Sequence, residues 1–283
     1  MNLTTPAATI QEVIDALDQI IADSIRRHSR LGFFAALYRR VTVTVKQGIT
    51  AEIFDDGQRM EKFDVAFANR YLAAYDRYHS QKAAIQAWAV SFEAAKNANL
   101  MLLQHLLLGM NAHINLDLGV VAAQIAPGDA IDSLENDFDR INVILGSLVG
   151  EVVHEFTQIW PFIGWTDKQL RGHERAPIGF EMQVVRDRAW KVALALAKLD
   201  PAAQAAEIEK IDQQVARLGH FVAHPGVPIE PIIWIFRKTD LKTTGATIKI
   251  LNERLKAKAV DVEHLRRKVL ISVSSPMTES ARG

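Results

Sequence analysis

Cysteine is absent from the 283 residues. That removes disulfides, thiolate nucleophiles and cysteine-ligated zinc or iron–sulfur centres, so any metal would have to be held by His, Asp and Glu. A surplus of either charge is missing too, because Lys plus Arg and Asp plus Glu stand at 33 each. Binding to a phosphate backbone needs positive charge gathered on one face, so a nucleic-acid partner is not expected. The G-x-S-x-G nucleophile elbow, the P-loop and the G-x-G-x-x-G dinucleotide fingerprint do not occur. Nor is there an internal repeat or a low-complexity tract. The start, "MNLTTPAATIQEVIDAL", has no basic segment and turns acidic early, so a signal peptide is not expected and the cytoplasm is the expected location.

What is present is apolar material in helical rhythm. Hydrophobic residues make up 49% of the chain, enough for a sizeable core. Thr9 and Glu12 have the spacing of a capping box, followed by the stripe Ile10, Ile14, Leu17, Ile21 and Ile25. Gly32 is expected to break the chain before a second helix. The β-branched run "RVTVTVKQGI" has no partner strand nearby and is read as the end of that helix. A third helix carries Phe63, Phe67, Tyr71, Ala74 and Tyr78, a fourth begins near Trp88, and a fifth is expected over 97–119. A long helix over 132–160 should stop at Pro161, with "FIGWTDKQLRGHERAPIG" as a connection or lid. Asp200-Pro201 should open another helix, and a last helical stretch is expected over 229–271. The fold class is all-α: a bundle of about 8–10 helices around a buried central helix, in a single domain of residues 1–271, with 272–283 a disordered tail.

The stretch "HLLLGMNAHINLDLG", residues 105–119, poses the main question. On a helical wheel its leucines and methionines run all the way round, so it has no wet face, yet it carries two histidines, two asparagines and an aspartate. Charged and amide side chains are costly in lipid, which makes a buried bundle helix a better reading than a membrane span. His105, Gly109, His113 and Asp117 are spaced by four and form a ladder on one side; Gln104, Asn111 and Asn115 form a second stripe. Each buried polar group without a partner costs about 1–3 kcal/mol, and a charge more. The cluster is therefore either a satisfied core network or a site, with His113 and Asp117 at its centre.

Neighbouring helices offer Asp64, Asn69 and Arg70 beside the Phe63–Phe67–Tyr71 stripe, and Asp137 and Asn142 on the 132–160 helix. "EVVH", Glu151 to His154, has the spacing of di-iron bundles, but its side chains face away from the apolar stripe and no second pair exists. "HFVAH", His220 to His224, has zinc spacing, but His220 falls on the wet side and His224 precedes Pro225.

The segments "FANRYLAAYDRY", "AWAVSF", "LLLGMNAHINLDL" and "DFDRINVIL" resemble a family of bacterial proteins of unknown function, from about Gly32 to Pro225. Gly109 to Leu118, carrying Asn111, His113, Asn115 and Asp117, is the most specific part. Asn69, Arg70, Asp137 and Asn142 stand where that family also has polar residues. The resemblance implies an all-α fold and a site around Gly109 to Asp117, and it brings no reaction with it.

The expected function is that of a small-molecule enzyme with hydrolase- or lyase-type chemistry. His113, Asp117 and Arg70 are its catalytic candidates, and Asn111, Asn115, Asp64, Asn69, Asp137 and Asn142 would contact the ligand. If a divalent metal (Zn, Fe or Mn) binds, His113 and Asp117 are its ligands and bound water is activated. Without metal, His113 is the general base and Asp117 orients it. The alternatives are a non-catalytic binding module for an apolar or amphipathic ligand and a purely structural network.

Overall fold

The computed structural model describes residues 5–82, 85–145, 148, 182–224, 243–257 and 260–274. Among them there is helix and no strand: α1 (Ile10–Arg27), α2 (Leu31–Thr50), α3 (Gly57–His79), α4 (Gln86–Ala94), α5 (Leu102–Ala112), a π-helical segment (His113–Leu118), α6 (Gly119–Ile125), a 3-10 turn (Gly128–Leu134), α7 (135–145), α8 (Met182–Ala197), α9 (Pro201–Ala223), α10 (Thr244–Ala257) and α11 (Val262–Ser274). The all-α multi-helix bundle read from the sequence is the fold.

The helix ends follow local chemistry. At the start of α1, Thr9 Oγ1 accepts from the Glu12 amide at 3.2 Å, and Glu12 Oε2 accepts from the Ala8 amide at 2.7 Å. The break between α1 and α2 comes at His28, in the left-handed region at φ 51°, and not at Gly32. Gly32 lies in the first turn of α2, where a Cβ would stand 2.6 Å from Ser24 Cβ and 2.9 Å from Ile248 Cδ1. Its role is close approach of α1, α2 and α10. The VTVTV run is helical because the Thr42 and Thr44 hydroxyls bond the carbonyls of Tyr38 and Arg40 one turn back, at 3.1 and 2.9 Å, so both threonines are buried without penalty.

The central helix begins at Leu102 rather than 97. Asn97 Oδ1 takes the Asn99 amide at 2.8 Å and closes a turn there, and Gln104 Oε1 caps the Met101 amide at 3.0 Å. From Leu102 the chain stays helical to Ile125 and packs against α2, α3, α4, α8 and α9. This is the one helix among the described residues long and apolar enough to cross a membrane, and 94% of its most apolar window is buried inside the bundle.

Asp200 and Pro201 open α9 as expected, with Asp200 Oδ1 accepting from the Ala202 and Ala203 amides. In place of one helical stretch over 229–271 there are α10 and α11, the second capped by Asp261 through the His264 amide at 2.8 Å. Helix continues to Ser274, past the expected limit of 271. The "EVVH" pair, the 162–179 connection, the prolines from Pro225 onward and the tail beyond residue 274 lie outside the described residues.

Candidate acid–base site

Asp117 is fully buried and has three donors around it. Arg70 Nε from α3 meets Oδ1 at 2.5 Å, while Trp88 Nε1 from α4 gives its proton to Oδ2 at 2.8 Å. His113 Nδ1, one step back along the π segment, lies 3.3 Å from the same Oδ2. Three elements thus converge on one carboxylate. The wider π turn puts His113 and Asp117 in contact at i and i+4 in the middle of the bundle; π segments are rare and often mark functional positions.

Charge states follow from these contacts. Burial pushes the Asp117 carboxyl up, but the Arg70 guanidinium and the bond from His113 outweigh it, so its pKa lies below the ordinary value and it is ionised. An ionised carboxylate only accepts, hence His113 Nδ1 carries the proton. Burial lowers the His113 pKa despite the opposing pull of Asp117. At neutral pH the ring is uncharged and its Nε2 is a bare acceptor. That Nε2 is buried and has no hydrogen-bond partner.

The imidazole is held as a plate. Its ring stacks on Phe67 with centroids 3.6 Å apart and planes 7° from parallel, and Tyr38 meets it edge-on at 4.4 Å. Phe34 and Trp88 complete the aromatic surround at 5.8 Å. Next to it lies a small cavity of about 40 Å³, walled by apolar side chains that include Phe34, Val41, Phe67, Met110 and Leu148. Among the described residues, Tyr38 and His113 are the lining residues with polar side-chain atoms. The Tyr38 hydroxyl is also buried, with the Thr42 side chain beside it. Burial first, then the charges of Asp64 and Asp117, push its phenol well above the ordinary value, so it stays protonated. Asp64 on α3 is 2% exposed, its Oδ2 has no partner, and burial together with Glu61 raises its carboxyl to about 8.

The other residues expected at the site are placed as follows. Asn111 Nδ2 bonds the Val215 carbonyl at 2.8 Å and its Oδ1 accepts from Asn115 at 2.9 Å, while Gln104 bonds the Val222 carbonyl at 2.9 Å. That stripe pins the central helix to α9; its amides are used up by the fold and do not line the cavity. Asn69 bonds the Ala7 backbone amide and carbonyl, both at 2.9 Å, and tethers the N-terminal segment. It borders a separate open hollow of about 340 Å³ between α1 and α3. Asp137 accepts from the Asp55 and Asp56 amides and pairs with Arg59 and Arg140, so it organises the start of α3. Asn142 is buried on α7 and His105 is buried beside Phe33. The single ligand-contacting set expected from sequence is therefore divided, and Arg70, His113 and Asp117 are what the fold brings together, with Asp64 near enough for its charge to act on Tyr38.

Sequence reasoning missed Trp88, Tyr38 and Phe67 as parts of the site. The available signal was that a buried Trp or Tyr needs a partner for its N–H or O–H, and both face the central helix that carries Asp117. As for a metal, no group of three or more His, Asp or Glu suited to a cation occurs among the described residues. Asp117 is already committed to a guanidinium, so the His113–Asp117 pair does not fit the ligand set expected for one.

No curated protein and no solved structure matches the chain. A protein-family comparison matches residues 10–225, extending the resemblance N-terminal of Gly32 to take in α1; with most of its length matched, the chain belongs to a family of unknown function, DUF5995.

Proposed function

We propose that the protein is an enzyme that performs acid–base chemistry on a small molecule, with His113 as the general base. Asp117 fixes the tautomer and orientation of the imidazole, and Arg70 and Trp88 hold Asp117 ionised and in place. The observation that carries the reading is the His113 Nε2: a neutral, oriented, buried acceptor without a partner, on a residue that borders a hollow. A fold that needed only a satisfied network would lose about 1–3 kcal/mol by leaving this atom unbonded. The base can take a proton from the substrate, for lyase-type chemistry, or from a water beside it, for hydrolysis. The absence of a nucleic-acid partner belongs to the same proposal, on the balanced charge of the chain.

The test is the protonation state of His113. Imidazole 15N shifts, assigned by comparison with His113→Gln, should show Nδ1 protonated and Nε2 bare at pH 7. A proton on Nε2 would refute the base reading. A second reading, a binding module without chemistry, is favoured by the apolar character of the cavity walls. It expects ligand retention in His113→Gln as in wild type.

A further inference from the structure

Helix α4 is short and starts without a cap of its own. Its nine residues fall short of the roughly 12–15 that let an isolated helix persist in water. Ile85, which precedes it, has no side-chain atom that can accept from the first turn. The cap comes from another helix. Asp212 on α9 takes the Gln86 amide on Oδ2 and the Ala87 amide on Oδ1, both at 2.8 Å, from 126 and 125 positions away in sequence. The carboxyl group is buried, and a negative charge there suits the positive end of the helix.

Trp88 is the next residue along α4, and its indole Nε1 reaches Asp117 Oδ2 at 2.8 Å. Helix α9 is itself fixed to the central helix. The Val215 carbonyl, three residues on from Asp212, accepts from Asn111 Nδ2 at 2.8 Å. Gly219 lets α4 come close, because a Cβ there would stand 3.1 Å from Val90 Cγ1. The contacts close into a ring. It runs from Asp117 through Trp88 and the start of α4 to Asp212, along α9 to Val215, and back through Asn111 to the helix that carries Asp117. The indole is thus held against the carboxylate from both sides.

The place of the indole bears on the base. Trp88 Nε1 and His113 Nδ1 share the same Oδ2, at 2.8 and 3.3 Å. Carboxylate charge engaged by the indole is not available to the imidazole. If the indole withdraws, the His113 bond tightens and the ring takes a proton more readily. Among the described residues, the charges that act on His113 are those of Asp117 and Arg70. Asp212 is not one of them, so its influence on the ring runs through Trp88.

We propose that Asp212 is a positioning residue of the acid–base centre: by capping α4 from α9 it holds the Trp88 indole on Asp117 and so sets the share of that carboxylate left to His113. The proposal rests on His113 being the base.

The test uses the 15N-labelled full chain. Asp212→Asn keeps the volume but loses the charge and one of the two acceptor oxygens. The Trp88 indole cross-peak, assigned with Trp88→Phe, should move upfield and its hydrogen exchange quicken about tenfold, the loss of one hydrogen bond. The His113 Nδ1–H signal should move downfield. Asp212→Glu, which keeps the charge and moves it by one methylene, should act in the same direction but less. Trp88→Phe should give the same His113 shift, and adding Asp212→Asn to it should give no more. Asp200→Ala, which removes the cap of α9, controls for a merely structural loss and should leave both signals in place. Unmoved indole and imidazole signals in folded Asp212→Asn or Asp212→Glu would overturn the proposal. So would a His113 signal indifferent to Trp88→Phe, or one that Asp212→Asn moves further in that background. The wild-type tautomer decides the base reading separately, and the response of the indole does not depend on it.

Discussion

Replacing Asp64 by Asn should stabilise the protein, and by an amount set by pH. Asp64 is 2% exposed and its carboxyl is raised from 3.8 to about 8, first by burial and then by Glu61. A raised acid favours the folded state fully only below its unfolded value. As pH climbs from 3.8 toward 8 the unfolded chain loses the proton and the folded chain keeps it, so stability drains away across that window. At about 1.4 kcal/mol per pH unit the deficit at pH 7 is about 4 kcal/mol. Asparagine is nearly isosteric and does not ionise, so Asp64→Asn should escape the deficit. Urea titrations of wild type and variant at pH 4.5, 6, 7 and 8.5 give the comparison; the contributions of His105 and His113 are common to both proteins and cancel. The gap should be small at pH 4.5, widen with pH and level off above 8. A gap that does not change with pH, or a variant less stable at pH 7, would refute the reasoning. A carboxyl kept in the core at such cost is the pattern of a group retained for function rather than for folding.

Three further outcomes are expected. Burial lowers His105 from 6.5 to about 4, so its contribution is complete above pH 6.5 and is lost as pH falls toward 4; His105→Gln should remove about 3 kcal/mol of acid sensitivity over that range, measured by the urea midpoint. Asp117→Asn strips Arg70 and His113 of their shared carboxylate. With Arg70 one-fifth exposed, the cost should be about 2–4 kcal/mol rather than the full value for a sealed pair, and Trp88 fluorescence should shift as its indole N–H faces a neutral amide in place of a carboxylate. Gly109→Ala would set a Cβ 2.4 Å from Phe34 Cδ2 and 2.5 Å from its Cγ. The overpacking cost of about 1–3 kcal/mol should exceed the helix gain of about 1 kcal/mol, and the 13C-methyl NMR signal of Met110 should move because Met110 and Phe34 line the same hollow.

Periodicity made the bundle legible: the stripe of α1, the aromatic stripe of α3 and the faceless central helix each follow from residue spacing alone. The pairing of His113 with Asp117 was legible because four residues is less than a quarter turn out of line on any wide helix. Arg70 could be placed on the right helix but not at its carboxylate, since helix wheels give faces and not crossings. The same limit explains Asp137, Asn69 and Asn111. Each is polar, inward and close to the motif in sequence pattern, yet each is consumed by backbone groups that come from 62 to 104 positions away. Backbone donors and acceptors at a helix end or along a crossing helix are set by tertiary packing, and no pattern of side chains announces them. Trp88 was hidden for the opposite reason: an aromatic in an apolar stripe reads as core, and the indole N–H that serves Asp117 leaves no trace in a hydrophobicity pattern.

The π segment also makes the central helix a counted element. Helices α5 and α6 are one continuous rod, but the wider winding between them sets the faces of one out of phase with those of the other. Gly119, the first residue after the segment, lies against α8, where a Cβ would stand 2.8 Å from the Ala189 carbonyl oxygen and 2.8 Å from Val192 Cγ1. Rewinding the six residues 113–118 at ordinary α-helical pitch, with none removed, would turn α6 by about 100° relative to α5. A side chain would then be driven into the α8 backbone, or Asp117 would be drawn from its three donors. Loops elsewhere on the molecule can change length without such consequence; here the distance between the imidazole and the α8 contact is fixed by number, so the chemistry of the centre and the assembly of the bundle stand or fall together.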